Sequence, residues 1–133
     1  MDGSKNSFRG LDYAIEIAKL CDASIISVNV IAMSYNEPSQ VKTPYGKELL
    51  NKAEIFFNRA KKRANQKGVI FTNKIIFGNA GEEITNFAQS KKRKRFDLIV
   101  IGSRGLGSIK EFFLGSTSNY VVHKSKIPVL VVK

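Results

Sequence analysis

A glycine-rich segment that follows a predicted strand contains the residue types best suited to bind a phosphate group. Gly102 and Gly105 let the backbone turn and approach a ligand closely, because glycine has no Cβ atom. Arg104, between them, adds a positive charge. Open α/β sheets bind their ligands beyond the carboxyl ends of their strands. The segment therefore lies where such a fold would place a binding site.

The same segment closes where a helix is predicted to begin. Gly115, Ser116 and Thr117 would open that helix with unpaired N–H groups and two hydroxyls, and such a helix start attracts phosphate. Glycines after strands and hydroxyl residues at helix starts are also ordinary structural features. The residues alone therefore leave phosphate binding and a purely structural role open. Neither a P-loop ending nor the glycine order of a dinucleotide fingerprint is present.

The elements that position this segment follow from the spacing of apolar residues, which alternates between helical and strand-like patterns. Helices are predicted over about 7–21, 49–68, 81–91 and 116–123, and strands over 24–31, 69–77, 98–101 and 128–132, with a loop over 32–45. This alternation predicts an α/β fold with a parallel sheet, helices on both faces and right-handed crossovers. The continuous apolar run over 98–101 predicts a strand that is covered on both faces.

The composition bounds the class of protein. With 133 residues and 43% hydrophobic residues, we expect one domain over residues 1–133 with its own core. A single cysteine, Cys21, and a single histidine, His123, exclude a disulfide framework and a cysteine-based zinc site. We expect Cys21 to be buried on the first helix. No apolar run approaches the ~20 residues that span a bilayer, so we expect a cytoplasmic protein without a membrane segment.

The net charge of +11 raises the possibility of nucleic-acid binding. Part of the excess lies in the basic run Lys91–Arg95. Charge runs usually form solvated surfaces, and no aromatic residue in this one could stack on bases. A nucleic-acid-binding module is therefore the lesser alternative among the functions considered.

The spacing Gly102-x2-Gly105-x9-Gly115-Ser116 resembles the nucleotide motif G-x2-G-x9-G-S/T of the universal stress protein family. Further matches follow in the right order at Asp2-Gly3-Ser4, Val28-Asn29-Val30, 96–105 and 127–132. The resemblance covers nearly the whole chain and is to the ATP-binding branch of the family. It implies an open, mainly parallel five-stranded sheet of order 3-2-1-4-5, Rossmann-like and similar to the adenine nucleotide alpha hydrolases.

The resemblance also implies roles for single residues at an ATP site. Asp2 and Val30 would face the adenine and ribose, and Gly102 would lie against the ribose. The phosphates would be held by Gly105, Gly115, Ser116 and Thr117. Arg104, which lies in the same loop, is a further candidate for the site because of its positive charge. Mg²⁺ or Mn²⁺ would bind through the phosphates rather than through protein side chains. No catalytic residue and no metal-ligating side chain is implied.

The function implied by the resemblance is a nucleotide-dependent switch or sensor in the stress response. Hydrolysis would be slow or absent, at most that of a slow ATPase, because no residue is evidently placed to activate water. The family pairs its last strand across a two-fold axis, so we expect a homodimer through Val129–Val132. The alternative is a dimeric regulatory interaction protein that works without nucleotide.

The amino terminus departs from the family pattern. In the family, a central first strand precedes the Asp-Gly-Ser segment, whereas only Met1 precedes Asp2 here. A missing central strand would leave the backbone of its two neighbours unpaired. We expect either that the sequence begins late or that another segment fills the gap. Ordinary pairing between the strands at Val28 and Val100 would contradict this hypothesis.

Overall fold

The computed structural model describes residues 1–33, 41–90, 96–107 and 114–133. Its elements are α1 (Lys5–Leu20), β1 (Ile25–Ile31), α2 (Pro44–Gln66), β2 (Phe71–Phe77), α3 (Ala80–Gln89), β3 (Ile99–Gly102), α4 (Ser116–Lys124) and β4 (Val129–Val132). The alternating order confirms the predicted α/β class. The basic run over 91–95 lies outside the described residues, and so does the prediction that rests on it.

The described strands form two parallel pairs. Strand β1 pairs with β2, from Ile25 opposite Phe71 onwards, and β3 pairs with β4, with Ile99 opposite Val129. Within the described part of the chain, no hydrogen-bonded ladder joins β1 to β3. Direct pairing of these two strands would contradict the expected gap, and it is not seen there. In the family order 3-2-1-4-5, these pairs correspond to 3-2 and 4-5. The complete order stays a prediction.

Side chains that accept hydrogen bonds from backbone N–H groups fix the starts of three helices. The Ser4 hydroxyl accepts a hydrogen bond from Ser7 N–H at 3.1 Å, and the side-chain oxygen Oδ1 of Asn79 accepts one from Gly81 N–H at 3.1 Å. Thr43 caps α2 in the same way. Residue 44 was predicted to belong to a loop, which is wrong, because Pro44 opens α2. Proline suits a first helical turn, where its missing N–H costs no hydrogen bond.

The buried core lies where α1 and α2 pack with the β1–β2 pair. Its largest buried members are Phe8, Leu11, Ile15, Phe56, Phe57 and Phe71, and Ala53, Ala60 and Ala64 let α2 approach closely. Helix α1 also contacts β3 and β4, while α3 packs against β1, β2 and α4. Helices therefore cover both faces of the strands, as predicted. Within the described ranges, no helix has the length and hydropathy needed to cross a bilayer.

Two predictions about burial are wrong. Cys21 is exposed, since it follows the last turn of α1 and donates its backbone N–H to Ile17. The residues of β3 are only half-buried, although the sequence predicted cover on both faces. Their exposure arises because the edge of β3 that faces away from β4 borders an open cavity.

Strand β3 and α1 approach each other closely at the carboxyl end of the strand. A Cβ atom built at Gly102 would lie 2.9 Å from the backbone carbonyl carbon of Asn6, and one built at Gly10 would lie 3.6 Å from Gly102 N. The contact at Gly102 is too tight for a larger residue, whereas the contact at Gly10 is an ordinary van der Waals distance. The two glycines thus bring the start of α1 beside the end of β3.

Candidate functional site

One cavity of about 1410 Å³ lies between the two strand pairs. It is lined by all eight residues that the sequence singled out for a nucleotide site, namely Asp2, Val30, Gly102, Arg104, Gly105, Gly115, Ser116 and Thr117. These residues come from the amino terminus, the end of β1, the end of β3 and the start of α4. Their convergence follows from the parallel strands, whose carboxyl ends lie on one side.

The start of α4 differs from the starts of the other three helices. Its N-cap residue is Gly115, which makes no side-chain capping hydrogen bond. No described atom accepts a hydrogen bond from the backbone N–H of Ser116 or Thr117, and both residues border the cavity. Unpaired first-turn amides carry the positive end of the helix dipole. The chain therefore presents to the cavity a group of donors suited to an anion.

Ser118 holds the two ends of the glycine-rich segment together. Its buried hydroxyl lies in donor position to two backbone carbonyl oxygens, Ser103 O at 2.8 Å and Gly115 O at 2.9 Å. Gly115 N–H also donates to Ser103 O, at 2.8 Å. No role is predicted for Ser118 from the sequence. The signal that could have identified it is a third hydroxyl residue one position beyond the predicted phosphate-binding pair.

Replacing Ser118 with alanine should lower the free energy of unfolding by about 1–3 kcal/mol, because buried hydrogen-bond partners lose their donor. Urea unfolding measures this change. Asn119→Ala, one residue along the same helix and exposed, is the matched control and should change stability little. An equal decrease in the free energy of unfolding in the two variants would contradict a stabilising role for the Ser118 hydrogen bonds.

The amino-terminal residues are fixed against β1 although no described strand precedes them. The Met1 amino group donates to the Val28 carbonyl, and the Asn29 side-chain amide donates to Met1 O at 2.8 Å. Gly3 has φ +82°, a conformation that favours glycine. The turn brings Asp2 to the cavity, where its carboxylate would lie 2.6 Å from a Cβ built at Gly105. A side chain at position 105 would therefore have to displace the Asp2 carboxylate from this place.

Asp2 is held in its charged form. Burial alone would raise the pKa of its carboxyl group, but hydrogen bonds from Ser4 and Ser7 and the charge of the amino terminus outweigh burial and lower it. One of these bonds runs from Ser4 N–H to Asp2 Oδ1 at 3.0 Å. An ionised carboxylate only accepts hydrogen bonds. Asp2 can therefore accept from a hydroxyl or amino group of a ligand.

The buried amino terminus should make stability depend on pH between about 6 and 8. Burial lowers the pKa of the Met1 amino group from 8.0 to about 6, with the charge of Asp2 opposing the shift. The unfolded chain binds more protons than the folded chain in this interval, so the free energy of unfolding rises with pH. A shift of this size corresponds to about 2–3 kcal/mol. Urea unfolding at pH values below, within and above the interval measures the rise.

Acetylation of the amino terminus provides the control for this pH dependence. It removes the charge and keeps an N–H group that can donate to the Val28 carbonyl. The acetylated chain should show no rise between pH 6 and 8. A rise of equal size in both forms would assign the effect to another group.

Metal-binding side chains are not clustered in the ranges that the structure describes. No group of three or more histidine, cysteine, aspartate or glutamate residues there could hold a metal ion. The lining of the cavity includes Ser116 and Thr117, which carry hydroxyl groups, and Asp2, which carries a carboxylate. This donor set fits a divalent cation that is held mainly by phosphate oxygens and water.

The chain is similar to known proteins over its whole length. The model of the Universal stress protein family matches residues 1–133. Universal stress protein YxiE of Bacillus subtilis is 34% identical over 100% of this chain and 95% of its own. The solved structure of MJ0577, a universal stress protein of Methanocaldococcus jannaschii, is 29% identical with a TM-score of 0.82, covering 100% of this chain and 91% of that chain.

A third relative was solved with a ligand. It is a universal stress protein in complex with cAMP, 26% identical with a TM-score of 0.69, covering 99% of this chain and 91% of that chain. The similarity of the solved structures shows a Rossmann-like α/β fold. The match across all of its residues shows that the chain belongs to the universal stress protein family.

Proposed function

We propose that this protein binds ATP in the cavity between the strand pairs and acts as a nucleotide-dependent switch or sensor in the stress response. The observation that carries the proposal is the uncapped start of α4, where Ser116 and Thr117 border the cavity and their N–H groups have no acceptor among the described atoms. In this proposal the whole of residues 1–133 is one domain, and it works in the cytoplasm.

The eight lining residues divide the proposed site into two parts. Gly105, Gly115, Ser116 and Thr117 hold the phosphates through backbone N–H groups and hydroxyls, with Arg104 adding positive charge. Asp2, Val30 and Gly102 form the side that receives adenine and ribose. The carboxylate of Asp2 suits a ribose hydroxyl because its lowered pKa keeps it an acceptor. The related protein that was solved with cAMP supports an adenine nucleotide as the ligand.

A divalent cation is part of the proposed complex. Mg²⁺ prefers oxygen ligands and keeps several waters, so that phosphate oxygens supply much of its shell. Mg²⁺ or Mn²⁺ would neutralise charge between the phosphates when bound. The chain itself would contribute hydroxyl groups from Ser116 and Thr117 near that position.

Hydrolysis should be slow or absent in this site. In the described residues, Asp2 is the only carboxylate near the proposed phosphate position, and its lowered pKa makes it a weak base. Groups that hold substrate and transition state alike lower KM without raising kcat. A steady-state phosphate-release assay should therefore give turnover below ~1 s⁻¹, under the usual enzyme range.

Isothermal titration calorimetry with ATP and Mg²⁺ tests the proposed function. We expect saturable binding to one site per chain, weaker without the metal, together with an increase in thermal stability. ADP and AMP titrated under the same conditions report how much the terminal phosphates contribute. Absence of both heat and stabilisation at millimolar ATP would contradict ATP binding and favour the alternative of a dimeric interaction protein that works without nucleotide.

Dimerisation through β4 is a second part of the proposal. Strand β4 pairs with β3 along one edge, and no described strand pairs with its other edge. An unpaired apolar edge is a template for another strand. Pairing of Val129–Val132 with the same strand of a second copy would form a homodimer. Sedimentation at micromolar concentration should show a dimer, and a monomer would contradict it.

A further inference from the structure

A second, smaller cleft lies between α1 and α2, and we call it the α1–α2 cleft. Its volume is about 340 Å³, and its lining consists of Gly3, Lys5, Phe8, Arg9, Asp12, Arg59 and Arg63. None of these residues lines the cavity that holds the proposed nucleotide site. To that cavity α1 contributes residues of its opposite face, including Ser7, Gly10, Leu11 and Ala14. The α1–α2 cleft is therefore separate from the nucleotide site.

The α1–α2 cleft carries four cationic side chains and one carboxylate. Lys5 and Arg9 lie four positions apart on α1, and Arg59 and Arg63 lie four positions apart on α2, so each pair shares one helix face. Asp12 pairs with Arg63, with 2.9 Å between Oδ1 and Nη1. Among the described residues, no carboxylate forms an ion pair with Lys5, Arg9 or Arg59. Three positive charges are therefore left without a partner in one small space.

The ring of Phe8 orders the two guanidinium groups that α2 contributes. The Cζ atoms of Arg59 and Arg63 each lie 4.8 Å from the centre of this ring. Phe8 belongs to the buried core, so the ring itself is fixed. A guanidinium group that stacks on an aromatic ring is attracted to its π-electrons. Arg59 thus presents N–H donors that are ordered before a ligand binds, which lowers the entropy that binding would cost.

The positive region of the α1–α2 cleft is short. At one end, α1 begins at Lys5, where the positive end of the helix dipole adds to the charge. Towards the other end, Asp12 lines the cleft, and one turn further Glu16 pairs with Lys67 at 3.4 Å. The region between Lys5 and Asp12 spans two turns of helix, roughly 11 Å. This length suits a compact anion, whereas a long polyanion would continue over acidic residues.

The lining suits phosphate oxygens better than a base or a sugar. Guanidinium groups bind phosphate oxygens in pairs, and lysine adds a point charge. The described lining has one aromatic ring, that of Phe8, which is buried under two guanidinium groups and cannot stack on a base. It includes no asparagine, glutamine, serine or threonine side chain that could recognise a base edge. Recognition in the α1–α2 cleft would therefore rest on charge.

We propose that the α1–α2 cleft binds a free oligophosphate, a short chain of linked phosphate groups, as a site separate from that of the nucleotide. Arg9 and Arg59 hold phosphate oxygens from the two helices, and Lys5 adds charge at the start of α1. Arg63 contributes less because Asp12 shares it. Three unpaired cations match an anion with several charges, which a single phosphate does not supply. The bound anion links α1 to α2 and so stabilises the fold.

Isothermal titration calorimetry with sodium tripolyphosphate, without metal or nucleotide, tests the proposal on the unmodified chain. We expect saturable binding at micromolar concentration and an increase in Tm. Inorganic phosphate should bind about tenfold more weakly or less tightly still, because it carries fewer charges. The affinity should fall with added salt, since the screening length decreases from about 10 Å at 0.1 M to about 3 Å at 1 M. Equal affinity for the two anions would overturn the proposal.

Two charge-matched variants of α2 locate the binding. Arg59→Gln removes a cation from the α1–α2 cleft and should weaken tripolyphosphate binding by a factor of about ten or more, the usual effect of losing a charged hydrogen bond. Lys61→Gln removes the same charge at an exposed position outside the cleft and should change the affinity little. Arg59→Lys keeps the charge but loses the planar fork, so its affinity should lie between the two. Equal affinity in Arg59→Gln and Lys61→Gln would overturn the proposal.

Asp12→Asn should tighten the binding of tripolyphosphate. The substitution removes the carboxylate that competes with the ligand and frees Arg63 from its ion pair. The pair is exposed, so its loss should cost the fold little, and circular dichroism checks this. Glu54→Gln removes a negative charge from an exposed position of α2 outside the cleft and is the matched control. An affinity in Asp12→Asn no higher than in Glu54→Gln would overturn the proposal.

Three further results would assign the anion to another site or ligand class and overturn the proposal. Tripolyphosphate binding that Ser116→Ala abolishes and Arg59→Gln preserves would place it in the nucleotide cavity. Tighter binding of cytidine triphosphate than of tripolyphosphate, lost in Arg59→Gln, would make the α1–α2 cleft a nucleotide site. The same result with a single-stranded oligoribonucleotide would make it a nucleic-acid site. Because the main titrations contain no nucleotide, their failure is independent of the failure of ATP binding.

Discussion

The Gly115→Val variant should bind ATP at least about 100-fold more weakly than the wild-type chain. A Cβ atom at Gly115 would already lie 3.4 Å from Ser103 O and 3.5 Å from Arg104 Cα. The added methyl groups must displace the start of α4 or occupy the proposed phosphate position. Loss of two hydrogen bonds to a charged group, at about 1.5–3 kcal/mol each, corresponds to a decrease of this size. Calorimetry with ATP and Mg²⁺ measures it.

Gly107→Val is the matched control for this variant. Gly107 lies in the same segment, but a Cβ atom there would meet no atom within 4 Å. The control should bind ATP nearly as the wild type does, and circular dichroism should show that both variants are folded. If Gly115→Val unfolds, Ser116→Ala removes one hydroxyl from the site at little cost to the fold. Undiminished affinity in Gly115→Val and Ser116→Ala would contradict phosphate binding at the start of α4.

The sequence predicted the order of the elements because their local signals are strong. The alternation of helical and strand-like spacing located all eight described elements within a few residues, apart from the later start assigned to α2. The convergence of Asp2 with Gly105 was also predictable, although only from the family resemblance. Without it, a residue at the amino terminus offers no local sign that it meets a loop that lies about a hundred positions away in the chain.

Other features of the structure depend on how the elements pack, which the spacing of apolar residues does not predict. In the sequence, Gly10 is an ordinary position of a predicted helix. Its closeness to Gly102 depends on how α1 packs across β3, which the sequence does not indicate. Cys21 fits the apolar stripe of α1, yet it lies beyond the last turn. The half-exposed state of β3 reflects an open edge beside it, whereas an apolar run alone predicts full cover.

The Phe57→Ala variant should lower the free energy of unfolding by about 3–5 kcal/mol, the usual cost of removing a buried phenylalanine ring. Phe57 is 3% exposed, and its ring centre lies 4.9 Å from that of Phe56. Domains are stable by only about 5–15 kcal/mol, so the loss is a large fraction of the total. Ile55→Ala, in the same helix and 63% exposed, should cost less than about 1 kcal/mol. Urea unfolding of both variants measures the difference.

The same unfolding experiment, repeated with ATP, tests whether loss of core packing at Phe57 affects the proposed ATP site. Phe57 does not border the cavity, so the folded fraction of Phe57→Ala should bind ATP with wild-type affinity. At a free concentration of 100 times Kd, ATP should raise the free energy of unfolding by about 2.7 kcal/mol in the wild type and in both variants. A smaller increment in Phe57→Ala alone would mean that the α2 core also holds the site in shape. Equal destabilisation by Phe57→Ala and Ile55→Ala would contradict the placement of the core between α1 and α2.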